Sequence, residues 1–553
     1  MNQLISLFGS LYSNVVPFVI LLGILVFIHE LGHFLVALAC GVRVEVFSLG
    51  FGKKILSFKK GYTTYCISIV PLGGYVKMFG EQSTDATAIA PEDRAVSYSH
   101  KTVWQRIAIV FAGPLMNFLF AIFIFGFIAY SGEETRSARI SEVTPGSIAE
   151  TAGLKSQDLV LAVNNQPVRS YEEFQNALTA SQNEAAQIQV QQDGEQPRTV
   201  TAQVASVDNP NIFAGKKTIG SITGILPYTK GTLVAVQPDS QAFKAGLRTG
   251  DEITKIDDRK VQSWNDLNRL VQNPTSNITV QRTSADDKKE TLQVQYALPA
   301  FKTTPSLAEL GLESPELYLE QVVPDSPAAK AELLRHDKIV SINGQPMVAW
   351  ENVLNTIKSY DGKEALEFKI VRDGTEMVKK ITPQVTSQMT FQGKEDKRYT
   401  IGIMPMANIS QPELVTVAES NIFSAANKGF NRSWDISVMT VMSFVRLFQG
   451  EVSHKNIGGM ISIGKAAKDS YAMGLQSFLM TMGILSISLF ILNLLPVPVL
   501  DGGHLVFYAI EIVKGSPLSG RKLEIAHQIG FALLMGLMVL ALFNDFTKFI
   551  FKT

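Results

Sequence analysis

The chain has 553 residues, with 50 basic and 50 acidic side chains, and is 46% apolar and 18% charged. That length holds several domains, and a net charge of zero removes any bulk electrostatic case for a nucleic-acid partner. Two cysteines, Cys40 and Cys66, exclude a disulfide framework or a cysteine-rich metal site, so a bound metal would rest on carboxylates and on some of the seven histidines.

The apolar residues concentrate near both ends. Four stretches approach the ~20 helical residues that cross a bilayer core. They run roughly over 15–39, 107–130, 478–495 and 529–543. The first is not read as a secretory signal, because residues 1–14 contain no Lys or Arg. Inside it lies His29-Glu30-Leu31-Gly32-His33. Two histidines four residues apart share one helix face. This H-E-x-x-H spacing suits two imidazole ligands to zinc with the glutamate as general base. Ionisable groups inside an apolar span cost several kcal/mol, on the order of 3 or more each, so the motif demands a metal or a polar partner. A proton or ion pathway of a transporter would also place such groups there, but the chain lacks internal transmembrane repeats.

After the first span come Arg43, Lys53, Lys54, Lys59, Lys60 and Lys77, and between the third and fourth come Lys514, Arg521 and Lys522. The excess of basic residues puts both connections in the cytoplasm. Both termini and the long middle region then lie outside. In the first connection, Gly50-Phe51-Gly52 precedes Thr64–Val70, whose alternation and β-branched residues predict a strand. An exposed strand edge there could hold an extended substrate by main-chain bonds. An ordinary cytoplasmic hairpin is the alternative. Tyr98–Arg106 reads as a cytoplasmic surface segment, and Asn117 in the second span as a contact with the first.

The middle region repeats. The segments at 140–154, 233–247 and 319–333 share a strand, a turn and a short Ala-rich helix, and each is followed by a second strand. Their aligned serines, Ser147, Ser240 and Ser326, lie 93 and 86 residues apart, which is domain spacing. Second helices are expected after Tyr171, Trp264 and Trp350. The pattern resembles circularly permuted PDZ domains of bacteria. The third unit departs from it, with Glu332 and His336 where glycines are expected. Such units bind peptides by strand addition or act as spacers and sieves. Beyond them, 424–449 is amphipathic, with Phe430, Trp434, Val438, Val441, Val445 and Phe448 at helical spacing. It suits the outer membrane surface or packing on the repeats.

The third span ends on Asn493 and the Pro-broken run to Leu500, and then comes Asp501-Gly502-Gly503-His504. A broken helix at membrane depth lines a cavity. Asp501 is the best third ligand, since zinc in a catalytic site takes three protein ligands and keeps one position open. His504 is a weaker rival, and a turn Asp before two glycines is the structural alternative. Asn493 could stabilise an oxyanion or satisfy freed backbone groups.

His29-Glu30-Leu31-Gly32-His33, Leu500-Asp501-Gly502 and Gly113-Pro114 with Asn117 together resemble the paired signatures of the site-2 protease family. Two features depart from that family: a third PDZ-like unit where it usually carries two, and Gly458-Gly459 where it has Gly-Pro. The resemblance implies a polytopic α-helical membrane protein of about four transmembrane helices. It also implies a membrane-associated, reentrant β-sheet and extracytoplasmic α+β PDZ-like domains. It implies one zinc ion on His29, His33 and Asp501, catalysis by Glu30 with Asn493, and substrate binding by Gly50, Phe51, Gly52, Cys66, Ile67, Ser68 and Ile69. Partners would be the lipid bilayer and single-pass membrane proteins, an anti-sigma factor and remnant signal peptides among them. The place would be a bacterial inner membrane, with the PDZ-like units in the periplasm acting as a size filter and the zinc toward the cytoplasmic side. The expected domains are a membrane half at 1–130, units at 136–207, 216–298 and 311–386, a helical linker at 400–470 and a second membrane half at 471–553. A catalytically idle scaffold binding partners through its PDZ-like units is the second reading.

Overall fold

The computed structural model describes residues 2–81, 89–144, 146–226, 229–257, 259–261, 263, 264, 266, 267, 275–283, 289–297, 306–389, 395–410 and 412–549. The main elements are α1 (Asn2–Ala39), a hairpin of β1 (Val44–Lys60) and β2 (Thr63–Met78), α2 (Val103–Ser131), α3 (Tyr171–Ala180), α4 (Trp350–Lys358), α5 (Ile422–Phe448), α6 (Met460–Ala472), α7 (Leu475–Asn493), α8 (Asp501–Lys514) and α9 (Gly520–Phe549). Four of these helices are long and apolar enough to cross a membrane: α1, α2, α7 and α9. The last starts at Gly520, earlier than its apolar run suggests, because Arg521, Lys522 and Glu524 are good helix formers and extend it past the hydrocarbon.

The centre of the membrane part is α2, which packs on α1, α5, α7 and α8. Thr102 caps its first turn by accepting the Gln105 N–H, and the Gln105 side chain accepts the Thr102 N–H. On α5 the buried residues are Ala425, Gly429, Ser433 and Ser437, one small side chain per turn. A Cβ on Gly429 would lie 2.5 Å from the Ile122 carbonyl of α2, so the two backbones touch. The large apolar residues Phe430, Trp434, Val441, Val445 and Phe448 face outward instead. Thus α5 joins the helix bundle through its small residues, and its other side meets the first repeat where Asn211 donates to Met439 Sδ.

The hairpin is more folded than a two-stranded ribbon. Ser48 pairs with both Tyr75 and Cys66, and Cys66 also pairs with Ser57. The order across the sheet is therefore the end of β2, the start of β1, the start of β2 and the end of β1. Gly50 and Gly52, at φ +88° and +87°, bend β1 between its two halves.

Each repeat builds its own core, around Ile140, Phe174 and Ile188, around Val234, Leu267 and Ile278, and around Leu319, Val353 and Phe368. In each, the aligned serine caps the short helix by accepting an N–H three residues on. A fully buried Asp meets an Arg from the neighbouring hairpin: Asp158 with Arg198, Asp251 with Arg282, Asp337 with Arg372. The units reach further than 207, 298 and 386, because a last strand returns to pair with the first: Ile225–Leu226 on Glu142–Val143, Leu312–Glu313 on Leu233–Val236, Ile403–Pro405 on Leu319–Val322. Each returning strand follows a glycine (Gly224, Gly311 or Gly402) whose Cβ would lie 2.1–2.2 Å from that of the capping serine. In the third unit Glu332 and His336 adopt φ +58° and +71°. Lys379 holds the Glu332 carboxylate at 2.9 Å and Arg372 holds its carbonyl, at a position where a left-handed residue costs ~1–2 kcal/mol. The helix expected after Trp264 lies largely outside the described residues.

Two antiparallel pairs gather the connections. Leu414–Val417 pairs with Glu133–Arg136, and Ile409–Ser410 with Thr229–Lys230. At the far end of α9, buried Asp545 accepts N–H bonds from Gly459, Ile461 and Ser462 at the start of α6. The departure at Gly458-Gly459 thus has a structural role. A proline at 459 has no N–H to donate, and any Cβ there would lie 2.7 Å from Asp545 Oδ2.

Arg372→Ala should cost about 3 kcal/mol or more, because it leaves Asp337 buried without its cation. Amides of Lys338–Ile342 should then exchange at least ~100-fold faster. Arg335→Ala, which breaks an exposed pair with Glu320, should change exchange by no more than ~0.5 kcal/mol.

Candidate metal centre

His29 and His33 project from one face of α1 onto α2, and two glycines make the approach possible. A Cβ on Gly32 would lie 2.2 Å from the Ala112 carbonyl, and one on Gly113 would lie 2.2 Å from His33 Nε2. Ile109, Gly113 and Asn117 form one face of α2 at spacings of four. His33 Nδ1 donates to the Ile109 carbonyl at 2.8 Å, near the point where Pro114 has no N–H to offer the helix ladder. Asn117 is fully buried, with its amide 3.4 Å from His29 Nδ1 and its Oδ1 without a partner. The two ends of an amide exchange by a half-turn. With its oxygen toward the ring, Asn117 accepts the Nδ1–H. Both rings then carry the proton on Nδ1 and present a bare Nε2 to the same point.

Asp501 supplies the third atom. It opens α8 after the irregular stretch from Leu494 to Leu500. Gly502 and Gly503 fold the helix start back on that stretch, since a Cβ on them would lie 2.3 Å from the carbonyls of Leu495 and Val497. The two glycines of the motif are therefore required by the fold-back that aims Asp501 at the histidines. Asp501 Oδ2 lies 3.2 Å from His29 Nε2 and 3.6 Å from His33 Nε2, and the two nitrogens are 3.2 Å apart.

These three atoms are acceptors with no hydrogen to share, a repulsive arrangement that a cation relieves. Zinc bonds of about 2.0–2.1 Å in a tetrahedron put neighbouring ligand atoms ~3.3 Å apart. The observed separations bracket that value, and among the described residues these are the three His, Cys, Asp or Glu side chains so grouped. The donor set fits a tetrahedral metal ion with one position left open.

Glu30 sits beside this point. Gly74 brings the sheet against the Glu30 Cγ, 3.0 Å from where a Cβ would stand. The end of β2 is thus the sheet strand next to the donors. Cys66, Ile67, Ser68 and Ile69 do not form the exposed edge expected of them. Cys66 pairs with Ser48 and Ser57, and Ile67 with Leu49 and Leu56, so this run is interior to the sheet. Cys66 and Ser68 are buried, Ser68 against Ser48 Oγ at 3.1 Å, and only Ile67 and Ile69 expose side chains. Phe51 stacks parallel to Tyr75 and covers Gly73. Asn493 ends α7 half-buried, with no side-chain hydrogen bond to the donors. His504 is not part of this group and packs on His527 and Phe507.

A two-histidine, one-carboxylate cluster with a neighbouring glutamate inside an apolar helix bundle defines a membrane metalloendopeptidase. The sequence profile of peptidase family M50 matches residues 17–537, and the chain belongs to that family, the site-2 type of protease. It is 32% identical over 540 residues to the regulator of sigma-E protease RseP of Salmonella typhimurium (strain 14028s), covering 98% of this chain and 99% of that protein. The same protease of Escherichia coli K12 is 30% identical over 547 residues, covering 98% and 99%. A putative zinc metalloprotease of Vibrio cholerae is 30% identical over 537 residues, covering 97% and 98%.

Gly113→Ala should leave the protein folded but push His33 off the cluster, reducing metal content in dialysed protein below about a tenth of wild type. Asn117→Leu should weaken metal affinity by ~10–100-fold, as loss of an outer partner to a ligating histidine does. Chelator competition measures both.

Proposed function

We propose that the protein is a zinc-dependent intramembrane endopeptidase that cleaves single-pass membrane proteins within their membrane segment, with one zinc ion held by His29, His33 and Asp501. The observation that carries this reading is the tetrahedral spacing of those three acceptors beside Glu30 in an apolar helix. When bound, the zinc supplies Lewis-acid chemistry that polarises a carbonyl and makes water acidic near neutral pH. Glu30 takes the proton as the water oxygen attacks the peptide carbon, and returns it to the amide nitrogen as the C–N bond breaks. Asn493 is the proposed donor to the oxyanion.

A helical substrate hides its carbonyls in its own hydrogen bonds, so it must be extended first. An extended segment would lie along the end of β2, at Gly73–Val76 beside Glu30, with Gly50, Phe51 and Gly52 shaping the adjoining surface. Cys66–Ile69 would support that strand from inside the sheet, with Ile67 and Ile69 facing apolar surroundings. Basic residues after α1 and before α9 favour a cytoplasmic position for both connections. That orientation puts the PDZ-like units and both termini in the periplasm of an inner membrane, and the zinc toward the cytoplasmic side. The units would exclude bulky ectodomains. Likeness to proteases named for sigma-E regulation makes an already trimmed anti-sigma factor the first substrate to test, and remnant signal peptides the second.

In detergent, the wild-type protein should hold about one zinc per chain and cleave a transmembrane substrate. Glu30→Gln should retain the metal and lose at least ~100-fold in cleavage rate. Equal cleavage by the variant, or wild-type protein without zinc, would overturn the reading.

A further inference from the structure

The two histidines are held on both sides by α2, but Asp501 has no such neighbour of its own. It opens α8 directly after an irregular stretch, and no side chain caps that end. Of the four spans, α9 is the least buried. The place of Asp501 therefore depends on what grips α8 further along.

That grip is polar. Tyr508, two turns beyond Asp501 on the same face, bonds hydroxyl to hydroxyl with Tyr98 at 2.7 Å, and both rings are buried. Glu511, one turn further, accepts from Arg106 at 2.6 Å. Arg106 also spreads over the Tyr508 ring, 4.8 Å from its centroid. Tyr98 is fixed in turn by its N–H, which donates to the Phe79 carbonyl just past β2. The Tyr98 ring is therefore interior, while His100, Thr102 and Trp104 of the same segment are exposed. Burial raises the Tyr98 hydroxyl well above its ordinary range, so it remains a hydrogen-bonding group at any physiological pH. Arg106 lies one turn before Ile109 on α2. One face of α2 thus touches the helix of the third donor, the ring of His33 and the ring of His29, through Arg106, Ile109 and Asn117.

Apolar contacts alone would attach α8 to α2 at less desolvation cost, yet would leave it free to turn or slide. Tyr508 lies about 10 Å along the axis from Asp501. A rotation of one residue swings the carboxylate by ~100°, whereas metal–ligand distances tolerate about 0.2 Å. Buried polar pairs fix register where greasy contacts do not.

We propose that Tyr98, Arg106, Tyr508 and Glu511 are positioning residues that set the rotation and axial register of α8, and so place Asp501 against His29 and His33. The inference rests on reading those three side chains as metal ligands.

The test uses the full chain in detergent, stripped with chelator and titrated with Co2+, whose visible absorption reports coordination geometry, and then with Zn2+ against a competing chelator. Tyr508→Phe and Tyr98→Phe each remove one hydroxyl at constant shape, and Glu511→Gln removes one charge. Each should weaken metal affinity 3- to 30-fold and shift the cobalt spectrum. The Tyr98→Phe/Tyr508→Phe double variant should lose no more than either single one, because both act through one bond. Ile487→Val in the α7 core is the packing control. It should lower the melting temperature and leave affinity and spectrum alone. The proposal fails if the tyrosine and Glu511 variants melt earlier while binding cobalt within twofold of wild type, or if the double variant's losses add. Wild-type protein that takes up no cobalt would instead remove the ligand reading beneath it.

Discussion

The backbone of α1 at Gly32 lies directly against the Ala112 carbonyl of α2, and the imidazole of His33 fills the place where a Cβ of Gly113 would be. Most of the membrane part follows from that approach. It puts the Ile109 carbonyl within reach of one ring and Asn117 within reach of the other. It makes α2 the element on which α1, α5, α7 and α8 all pack. The same logic recurs wherever this chain crosses itself closely. Gly429 meets α2, Gly502 and Gly503 meet the broken stretch, and Gly74 meets Glu30. In lipid, where burying apolar surface gains little, close backbone contact is the main source of helix association.

Much of this was legible in the sequence because the signals are local. Twenty apolar residues announce a span, four-residue spacing puts His29 and His33 together, and serine at the start of an Ala-rich turn marks each repeat. Asp501 was legible for a different reason. It is a carboxylate at the end of an interrupted apolar run, where few roles are available.

What escaped was decided by partners far along the chain. The alternation of Thr64–Val70 is the same for an edge strand as for an interior one, and only its pairing with both Ser48 and Ser57 separates them. The spacing of Phe430 and Trp434 defines a stripe on α5 but not whether it faces protein or lipid. Small residues at 425, 429, 433 and 437 settled that. The strands that close each repeat lie some 80 residues from their partners, outside the pattern by which the repeats are recognised. Tyr98 looks like an ordinary surface tyrosine until Tyr508, 410 residues away, is set against it. The contact of Asn117 with the first span is legible in the sequence, and its spacing of four from Gly113 also puts it on the histidine side.

The paired strands beyond α2 have a consequence for how such a chain can change length. Glu133–Arg136 leaves the membrane helix and Leu414–Val417 comes back beside it, while Thr229–Lys230 and Ile409–Ser410 repeat the arrangement one step further out. Everything between Lys230 and Ile409, two whole repeats, hangs from a stem whose two sides are already side by side. Closing a longer flexible loop costs only slowly more entropy, about 0.6 kcal/mol per doubling, and a folded unit whose own ends meet adds less. A module can therefore be gained or lost above the stem without moving α2 or the helices that carry the histidines. The outer architecture is open to genetic tinkering, while the inner one is held to fractions of an ångström.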